Sequence, residues 1–253
     1  MLLFPGIENE RIRLSEEERN IDEGKLDYIE EILSIYQNLY SAICKYTYNR
    51  TENSEMVTYR DDRKLTYLEM QNGENDTFLS TTLKPGRQNS FFQDKLHLFL
   101  MDFVAEGQVE YLKMNEVLGK RSNFQKEEEI LFPPFLQVFT ELLPLSDQER
   151  RLKGHGGEPV AGKCKVIIKD SNIVPEELSE ADERYFGDLR DKIVDTKKIE
   201  NAKAVWRKLK SKQEPGVRMV EEYVEWKKWL EIYLRKTFSR IKYFVLITEE
   251  RSC

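Results

Sequence analysis

The sequence predicts an α+β protein that ends in a helical extension, and three stretches carry this prediction. Apolar residues follow helical spacing from Leu26 to Tyr46, and short β-prone runs alternate with turns between residues 56 and 169. Helical spacing returns over most of residues 179–241. A group of strands separate from groups of helices is typical of α+β folds. With 253 residues, the chain is one domain with an extension or two small domains.

The predicted core occupies residues 56–169, after an N-terminal helical segment of residues 1–55. Its strands are runs rich in β-branched and aromatic residues, separated by turn-forming residues. They are Met56–Arg60, Thr77–Leu83, Leu96–Val104, Val109–Met114, Glu127–Phe132 and Lys163–Lys169. The run from Leu96 to Val104 is the most hydrophobic of the six.

The C-terminal extension, residues 170–253, is predicted to be mainly helical. Ser179–Ile199 is charged and helical in pattern, and Val217–Ile241 is a strong helix. Tyr243–Ile247 is apolar and could be a closing strand. From residue 171 onward, 18 lysines and arginines stand against 16 acidic residues, whereas the rest of the chain holds 22 against 30. The extension is therefore mildly basic and the core is acidic.

The composition narrows the class of protein. A hydrophobic content of 40% is typical of a soluble globular chain, and a net charge of -6 argues against a nucleic-acid clamp. Cys44, Cys164 and Cys253 lie too far apart for a metal site or a disulfide framework, so we expect reduced thiols and no metal. The first acidic residue, Glu8, comes too early for the apolar region of a signal peptide, and no apolar run reaches about 18 residues. We expect a cytoplasmic protein without a membrane span, with signal-independent delivery into another cell left open.

The stretch from Glu127 to Phe135 contains three acids that run into an apolar segment and two prolines. As a strand, it places Glu127 and Glu129 on one face, roughly 6.5–7 Å apart. Pro133 and Pro134 then end the strand, because proline has no N–H to donate. Paired carboxylates suit glycosyl transfer, in which one stabilises a sugar cation and the other handles an acceptor proton. On this stretch alone, a solvated charge run is the ordinary alternative.

Two stretches upstream of these carboxylates contain side chains that could act together with them. Arg60 ends a predicted strand, where its guanidinium can bind a phosphate or pair with Asp61 or Asp62. Ser80 and Thr82 share one face of the next strand, where their hydroxyls can orient a neighbouring carboxylate. The alternative for this second piece is an ordinary threonine-rich edge strand.

Taken in order, these pieces resemble the arginine, Ser-Thr-Ser and Glu-x-Glu signature of the cholera-toxin-like mono-ADP-ribosyltransferases. The resemblance covers about residues 26–169 and implies two mostly antiparallel sheets around an NAD cleft, with residues 56–169 as the catalytic core. Thr82 replaces the usual serine, and Asp61 follows the arginine where the family often has glycine. The extension has no counterpart in the family.

The resemblance also implies how NAD, the substrate, is held. Arg60 would contact an NAD phosphate, and Ser80 would hold Glu129 in place. Phe91, or its neighbour Phe92, would stack on nicotinamide. The full set of implied NAD-binding residues is Arg60, Ser80, Thr81, Thr82 and Phe91.

On the acceptor side, the resemblance assigns Glu129 as the catalytic glutamate and Glu127 as the residue facing the acceptor. Phe124 lies in what resembles the acceptor-recognition loop. In the family, glutamate at the position of Glu127 accompanies arginine acceptors. We therefore expect transfer of ADP-ribose from NAD to an arginine of a target protein, with release of nicotinamide, as in toxins and effectors of this family.

Three alternatives stay open. The same residues would serve an NAD glycohydrolase, in which water replaces the acceptor. A nucleic-acid acceptor is suggested by residues 192–212, which hold eight basic and two acidic residues around Trp206. A degenerate fold kept as a binding module is the non-enzyme alternative. The sequence indicates neither the target nor the oligomeric state.

Overall fold

The computed structural model describes residues 25–48, 56–63, 73–75, 77–84, 98–119, 128–153, 157–171, 173–211 and 213–251. The chain forms two compact units. One comprises Met1–Ser41 with Ile173–Cys253, and the other comprises Ala42–Asn172. The first is helical and the second contains the β-sheet.

The β-sheet unit contains one mixed sheet. Its strands, within the described residues, are β1 (Met56–Arg63), β2 (Leu79–Thr82), β3 (Leu98–Ala105), β4 (Leu112–Lys113), β5 (Glu129–Phe132), β6 (Leu136–Leu143) and β7 (Gly162–Ser171). They lie in the order β4-β5-β2-β1-β3-β7-β6, and neighbours are antiparallel except for β3 and β7. The two separate sheets implied by the family resemblance are thus a single sheet. The reason is that β1 pairs with β2 on one side and with β3 on the other, which joins the two halves.

Strand β3 lies at the centre of the core. Alternate residues of β3 point to opposite faces, and both faces are buried, because Phe99, Met101 and Phe103 pack in the larger cluster and Leu98 and Leu100 in the smaller one. This burial explains why the run is the most hydrophobic in the chain. Each large side chain buried in this way stabilises the fold by about 1.5–3 kcal/mol.

Several predicted strand boundaries in this unit are wrong. Strand β1 runs past Arg60 to Arg63, so Arg60 does not end its strand as predicted, and β2 is shorter than predicted at both ends. The run Val109–Met114 contributes only Leu112 and Lys113 to the sheet, and the chain then forms a short helix, α2 (Met114–Leu118). The strand predicted from Glu127 begins at Glu129. Its other end is as predicted, because the strand stops at Phe132 before the two prolines.

The helical unit is built from α1 (Lys25–Tyr48, as far as Ser41), α3 (Glu180–Val194), α4 (Thr196–Lys210) and α5 (Val217–Glu250). Ring stacking joins α1 to α5 through Tyr40 and Phe238, whose centroids lie 4.1 Å apart. The indole N–H of Trp226 donates to the carbonyl of Ile193 at 3.0 Å, which ties α5 to α3. Among the described helices, none combines the length and the apolarity needed to cross a bilayer.

The predicted helix Ser179–Ile199 is two helices. Ser179 caps α3 in a capping box with Asp182. Asp195 separates α3 from α4, and its carboxylate accepts from the backbone N–H of Lys197 at 2.9 Å, which starts a new helix. The closing strand predicted for Tyr243–Ile247 is also wrong, since these residues continue α5 and keep its helical spacing.

Candidate active site

The antiparallel pairing of β2 with β5 assembles the candidate site. Thr82 lies opposite Glu129, and Ser80 lies opposite Leu131. Because residues that face each other across an antiparallel pair point to the same side, Ser80, Thr82 and Glu129 share one face. The alternate residues point to the other face and are buried there; they are Leu79, Thr81, Ile130 and Phe132.

Ser80 and Glu129 are in direct contact. The Ser80 hydroxyl donates to Glu129 Oε1 at 2.6 Å, in a partly buried position. The bond runs diagonally between the strands and joins residues that are 49 positions apart in the chain. Among the described residues, no cation pairs with the Glu129 carboxylate. The carboxylate is therefore oriented by an uncharged donor, the Ser80 hydroxyl.

Arg60 lies against the same strand. Its Nη1 donates to the backbone carbonyl of Ser80 at 3.3 Å. In the register of β1 and β2, however, Tyr59 is the residue opposite Thr82, so strand alternation places Arg60 on the opposite face from Thr82 and Glu129, and Arg60 contacts β2 at a backbone carbonyl. The three predicted pieces thus meet on the adjacent strands β1, β2 and β5. A guanidinium has five N–H donors, so an arginine here can also bind a phosphate oxygen.

The two threonines of the predicted NAD set have different surroundings. Thr81 is 4% exposed, and its hydroxyl donates to the carbonyl of Ile130 at 3.4 Å from the buried face. The Thr82 hydroxyl accepts from the backbone N–H of Lys84 at 3.2 Å, at the end of β2. Thr81 therefore joins β2 to β5, and Thr82 holds the turn that follows β2.

The backbone immediately before Glu129 is not extended. Glu128 has φ of 48°, in the left-handed region that residues with a Cβ seldom adopt. The extended backbone of β5 therefore begins after Glu128, at Glu129. Glu127 itself lies outside the described residues, as do Phe91, Phe92 and Phe124.

Asn75 supports the far end of β5, and the sequence indicated no more than a turn there. Its Nδ2 donates to the carbonyls of Thr77 at 2.6 Å and Pro133 at 3.1 Å. Its Oδ1 accepts from the backbone N–H of Leu136 at 2.7 Å. These bonds hold the turn between β5 and β6, in which Phe135 has φ of 68°. A lone asparagine among polar neighbours gives no signal of such long-range bonds.

A second charged cluster lies elsewhere in the same unit. Lys163 Nζ contacts Asp102 Oδ2 at 2.8 Å and Glu149 Oε1 at 2.9 Å. Glu149 Oε2 also accepts from the backbone N–H and the hydroxyl of Ser146, at 2.9 and 2.8 Å. Burial raises the pKa of Glu149, but hydrogen bonds from Lys163 and Ser146 outweigh burial and lower this pKa to about 2. In this cluster two carboxylates share one ammonium group, and such paired, hydrogen-bonded charges are typical of a structural role.

Two further side chains bear on alternative functions. Burial, with the Asp102 charge nearby, raises the pKa of the Cys164 thiol to about 12, so this thiol is a poor nucleophile. Trp206 is only 7% exposed, so its ring does not offer a surface on which bases could stack. In the described part of the chain, no three His, Cys, Asp or Glu side chains are grouped to hold a metal ion.

Solved bacterial ADP-ribosyltransferase toxins are distantly similar to this structure. Plx2a from Paenibacillus larvae has a TM-score of 0.31 at 12% identity, over 64% of this chain and 90% of Plx2a. The enzymatic component C2-I of the Clostridium botulinum C2 toxin has a TM-score of 0.32 at 14% identity, over 64% of this chain and 39% of C2-I. BECa of C. perfringens, solved with NADH, has a TM-score of 0.30 at 9% identity, over 82% of this chain and 60% of BECa. No protein-family model matches the sequence, and no curated protein matches it.

Proposed function

We propose that this protein is a mono-ADP-ribosyltransferase of the cholera-toxin-like type, which transfers ADP-ribose from NAD to an arginine of a target protein. The observation that carries the proposal is the 2.6 Å hydrogen bond from Ser80 to Glu129, beside the contact of Arg60 with Ser80. In this proposal residues 56–169 are catalytic, and residues 1–55 and 170–253 are the helical segments.

Glu129 would act on the bond between ribose and nicotinamide. Nicotinamide leaves as a neutral molecule and takes the electron pair of the C–N bond, so no acid is needed to expel it. The ribose becomes an oxocarbenium-like cation. A carboxylate that is oriented by Ser80, with no cation paired to it in the described part of the chain, interacts more strongly as this positive charge develops. The barrier therefore falls through stabilisation of the transition state.

The remaining roles are positioning and acceptor activation. Arg60 would bind a phosphate of NAD and so fix the substrate, which is a positioning role. The acceptor nitrogen forms the new C–N bond to the ribose, and its proton passes to a carboxylate, a role that we assign to Glu127. The assignment of Glu127, and with it the arginine acceptor, is supported by the Glu-x-Glu sequence. Phe91 and Phe124 keep their proposed contacts with nicotinamide and with the acceptor.

The test uses the purified protein and NAD labelled in the adenylate part. Nicotinamide release and label transfer to added cell-extract proteins are followed for wild type, Glu129→Gln and Glu141→Gln. Glu141 is an exposed glutamate on β6 of the same sheet, so it is the matched control for loss of one carboxylate. We expect Glu129→Gln to lose nicotinamide release by about a hundredfold or more, whereas Glu141→Gln keeps wild-type rates.

The fate of the label distinguishes the acceptors. Label on protein that hydroxylamine removes at the rate expected for an arginine linkage supports the proposal. Free ADP-ribose with no labelled macromolecule would instead establish an NAD glycohydrolase, and label on added RNA or DNA would establish a nucleic-acid acceptor. Absence of nicotinamide release from wild type, with and without extract, would favour a binding module.

A further inference from the structure

The junction between the end of β2 and the start of β5 is held by contacts that the proposed chemistry does not use. Lys84 Nζ lies 2.5 Å from Glu128 Oε1. The backbone N–H of Leu83 donates to the carbonyl of Glu128 at 3.2 Å. Both contacts lie just beyond the pair formed by Thr82 and Glu129, one residue along from Glu129 and one or two residues along from Thr82. We call Leu83, Lys84 and Glu128 the end clamp.

Glu128 adopts its left-handed conformation at a cost. A residue with a Cβ is unfavourable at φ of 48°, so the conformation persists only where neighbours hold it. The neighbours in this case are the two residues that follow β2. Their own position is fixed in turn, because the Lys84 N–H donates to the Thr82 hydroxyl at 3.2 Å. The contacts therefore close the β2–β5 pair at the end that carries Glu129.

We propose that the end clamp positions the Glu129 carboxylate against Ser80, with Lys84 and Glu128 as positioning residues. The kinetic part of this inference rests on the proposed function. Glu129 is the first residue of β5, and a first residue frays unless its backbone is held on the far side. Fraying there would lengthen the 2.6 Å bond between Ser80 and Glu129 and turn the carboxylate away from the ribose.

The left-handed backbone of Glu128 should contribute more to kcat than the ion pair between Lys84 and Glu128. The Lys84 and Glu128 side chains are 61% and 41% exposed, so solvent screens their attraction. The left-handed backbone is insensitive to screening but depends on which residue occupies position 128. Asparagine tolerates this conformation, whereas valine, which branches at Cβ, does not.

The matched pair Glu128→Asn and Glu128→Val separates these two contributions. Both variants lose the charge, and only the second opposes the left-handed backbone. We expect kcat for nicotinamide release to fall about two- to fivefold in Glu128→Asn and at least about tenfold in Glu128→Val. The KM for NAD should stay unchanged in both, because Arg60 is untouched. Equal losses in the two variants would overturn a role for the backbone conformation.

Lys84 variants test the side-chain contact without altering β5. Lys84→Met should resemble Glu128→Asn, and the double variant Lys84→Glu with Glu128→Lys should recover most of the lost kcat. A role limited to global stability would not give this recovery at a constant KM. Failure of the double variant to recover kcat would remove the ion pair from the proposal.

Amide hydrogen exchange keeps the test independent of the proposed activity. The Leu83 N–H should exchange at least about tenfold faster in Glu128→Val than in Glu128→Asn, because it loses its bond to the Glu128 carbonyl. If wild type releases no nicotinamide, the proposed function fails, but this exchange contrast still decides whether the clamp holds the pair. Equal exchange in both variants would overturn the clamp whatever the activity.

Discussion

Glu129 and Glu149 belong to the same unit and are both held by hydrogen bonds, but their donors differ in charge. Glu129 accepts from the neutral hydroxyl of Ser80 at 2.6 Å. Glu149 accepts from Ser146 and also from the ammonium of Lys163 at 2.9 Å, which in turn contacts Asp102. Glu149 is buried, whereas Glu129 is partly exposed.

The difference separates a carboxylate that holds the fold from one that is available for chemistry. A buried carboxylate must be paired with a cation, because an isolated charge is costly in the interior. A carboxylate meant to stabilise a transient cation must keep its charge unpaired until that cation forms. The hydroxyl of Ser80 contacts Glu129 without neutralising it, which is the arrangement that the proposed function requires.

The largest expected effect comes from making the same glutamate-to-glutamine substitution at each of the two positions, 129 and 149. Glu129→Gln should raise the barrier to nicotinamide release by about 3–4 kcal/mol and change the free energy of unfolding by less than about 0.5 kcal/mol. Glu149→Gln should lower the free energy of unfolding by about 2–3 kcal/mol, with activity of the folded protein within about twofold of wild type. Urea unfolding and a nicotinamide assay on each variant measure both quantities. If the two variants lose stability and activity in the same proportion, the distinction between a structural Glu149 and a catalytic Glu129 is wrong.

The pH dependence of stability sharpens the assignment of Glu149. Its pKa is about 2 in the folded protein, against an ordinary value of 4.5, so the folded state favours the charged form. This contribution is fully present above about pH 4.5 and is lost as the pH falls toward 2, because the unfolded chain takes up the proton first. The contribution amounts to about 3 kcal/mol.

Unfolding by urea at a series of pH values checks this expectation. The difference in unfolding free energy between wild type and Glu149→Gln should shrink as the pH falls from about 4.5 to 2. A difference that stayed constant over this range would mean that Glu149 is not held in its charged form by Lys163.

Loss of the orienting hydroxyl should have a smaller effect than loss of the carboxylate. Ser80→Ala should lower kcat about tenfold, since one hydrogen bond to a charged group is worth about 1.5 kcal/mol. Ser80→Thr retains a hydroxyl and should recover part of this loss. Ser171→Ala is the matched control, because the buried Ser171 hydroxyl on β7 has no hydrogen-bond partner within the described ranges. Equal activities of the two alanine variants would show that Ser80 does not orient Glu129.

The smallest effect concerns two buried threonines on neighbouring strands. The Thr58 hydroxyl on β1 is fully buried and finds no hydrogen-bond partner in the described part of the chain. Thr58→Val should therefore stabilise the protein by about 1 kcal/mol, because it removes an unpaired polar group of similar shape. Thr81→Val should destabilise by up to about 1 kcal/mol, since its hydroxyl donates to Ile130. Thermal unfolding of both variants measures the two signs, and a loss of stability in Thr58→Val would contradict the first.

Local pattern predicted most of the elements in this protein. The helix at Lys25–Tyr48, the strand around Leu98–Ala105 and the end of β5 before Pro133 all follow from residue spacing and from the backbone chemistry of proline. Predicted boundaries were wrong where a single residue interrupts the regular backbone conformation, as Asp195 does between two helices. The prediction of a closing strand at Tyr243–Ile247 was wrong because an apolar run of five residues fits a helix as well as a strand.

The sequence by itself determined the residue types of the candidate site and their order along the chain, since Arg60, Ser80 and Glu129 were proposed from their neighbours alone. Only the tertiary structure decided which of them touch. The contact between Ser80 and Glu129 depends on the register of two strands that are 49 residues apart, and no local propensity fixes such a register. The left-handed conformation of Glu128 likewise follows from contacts with the end of β2, because glutamate has no intrinsic preference for it.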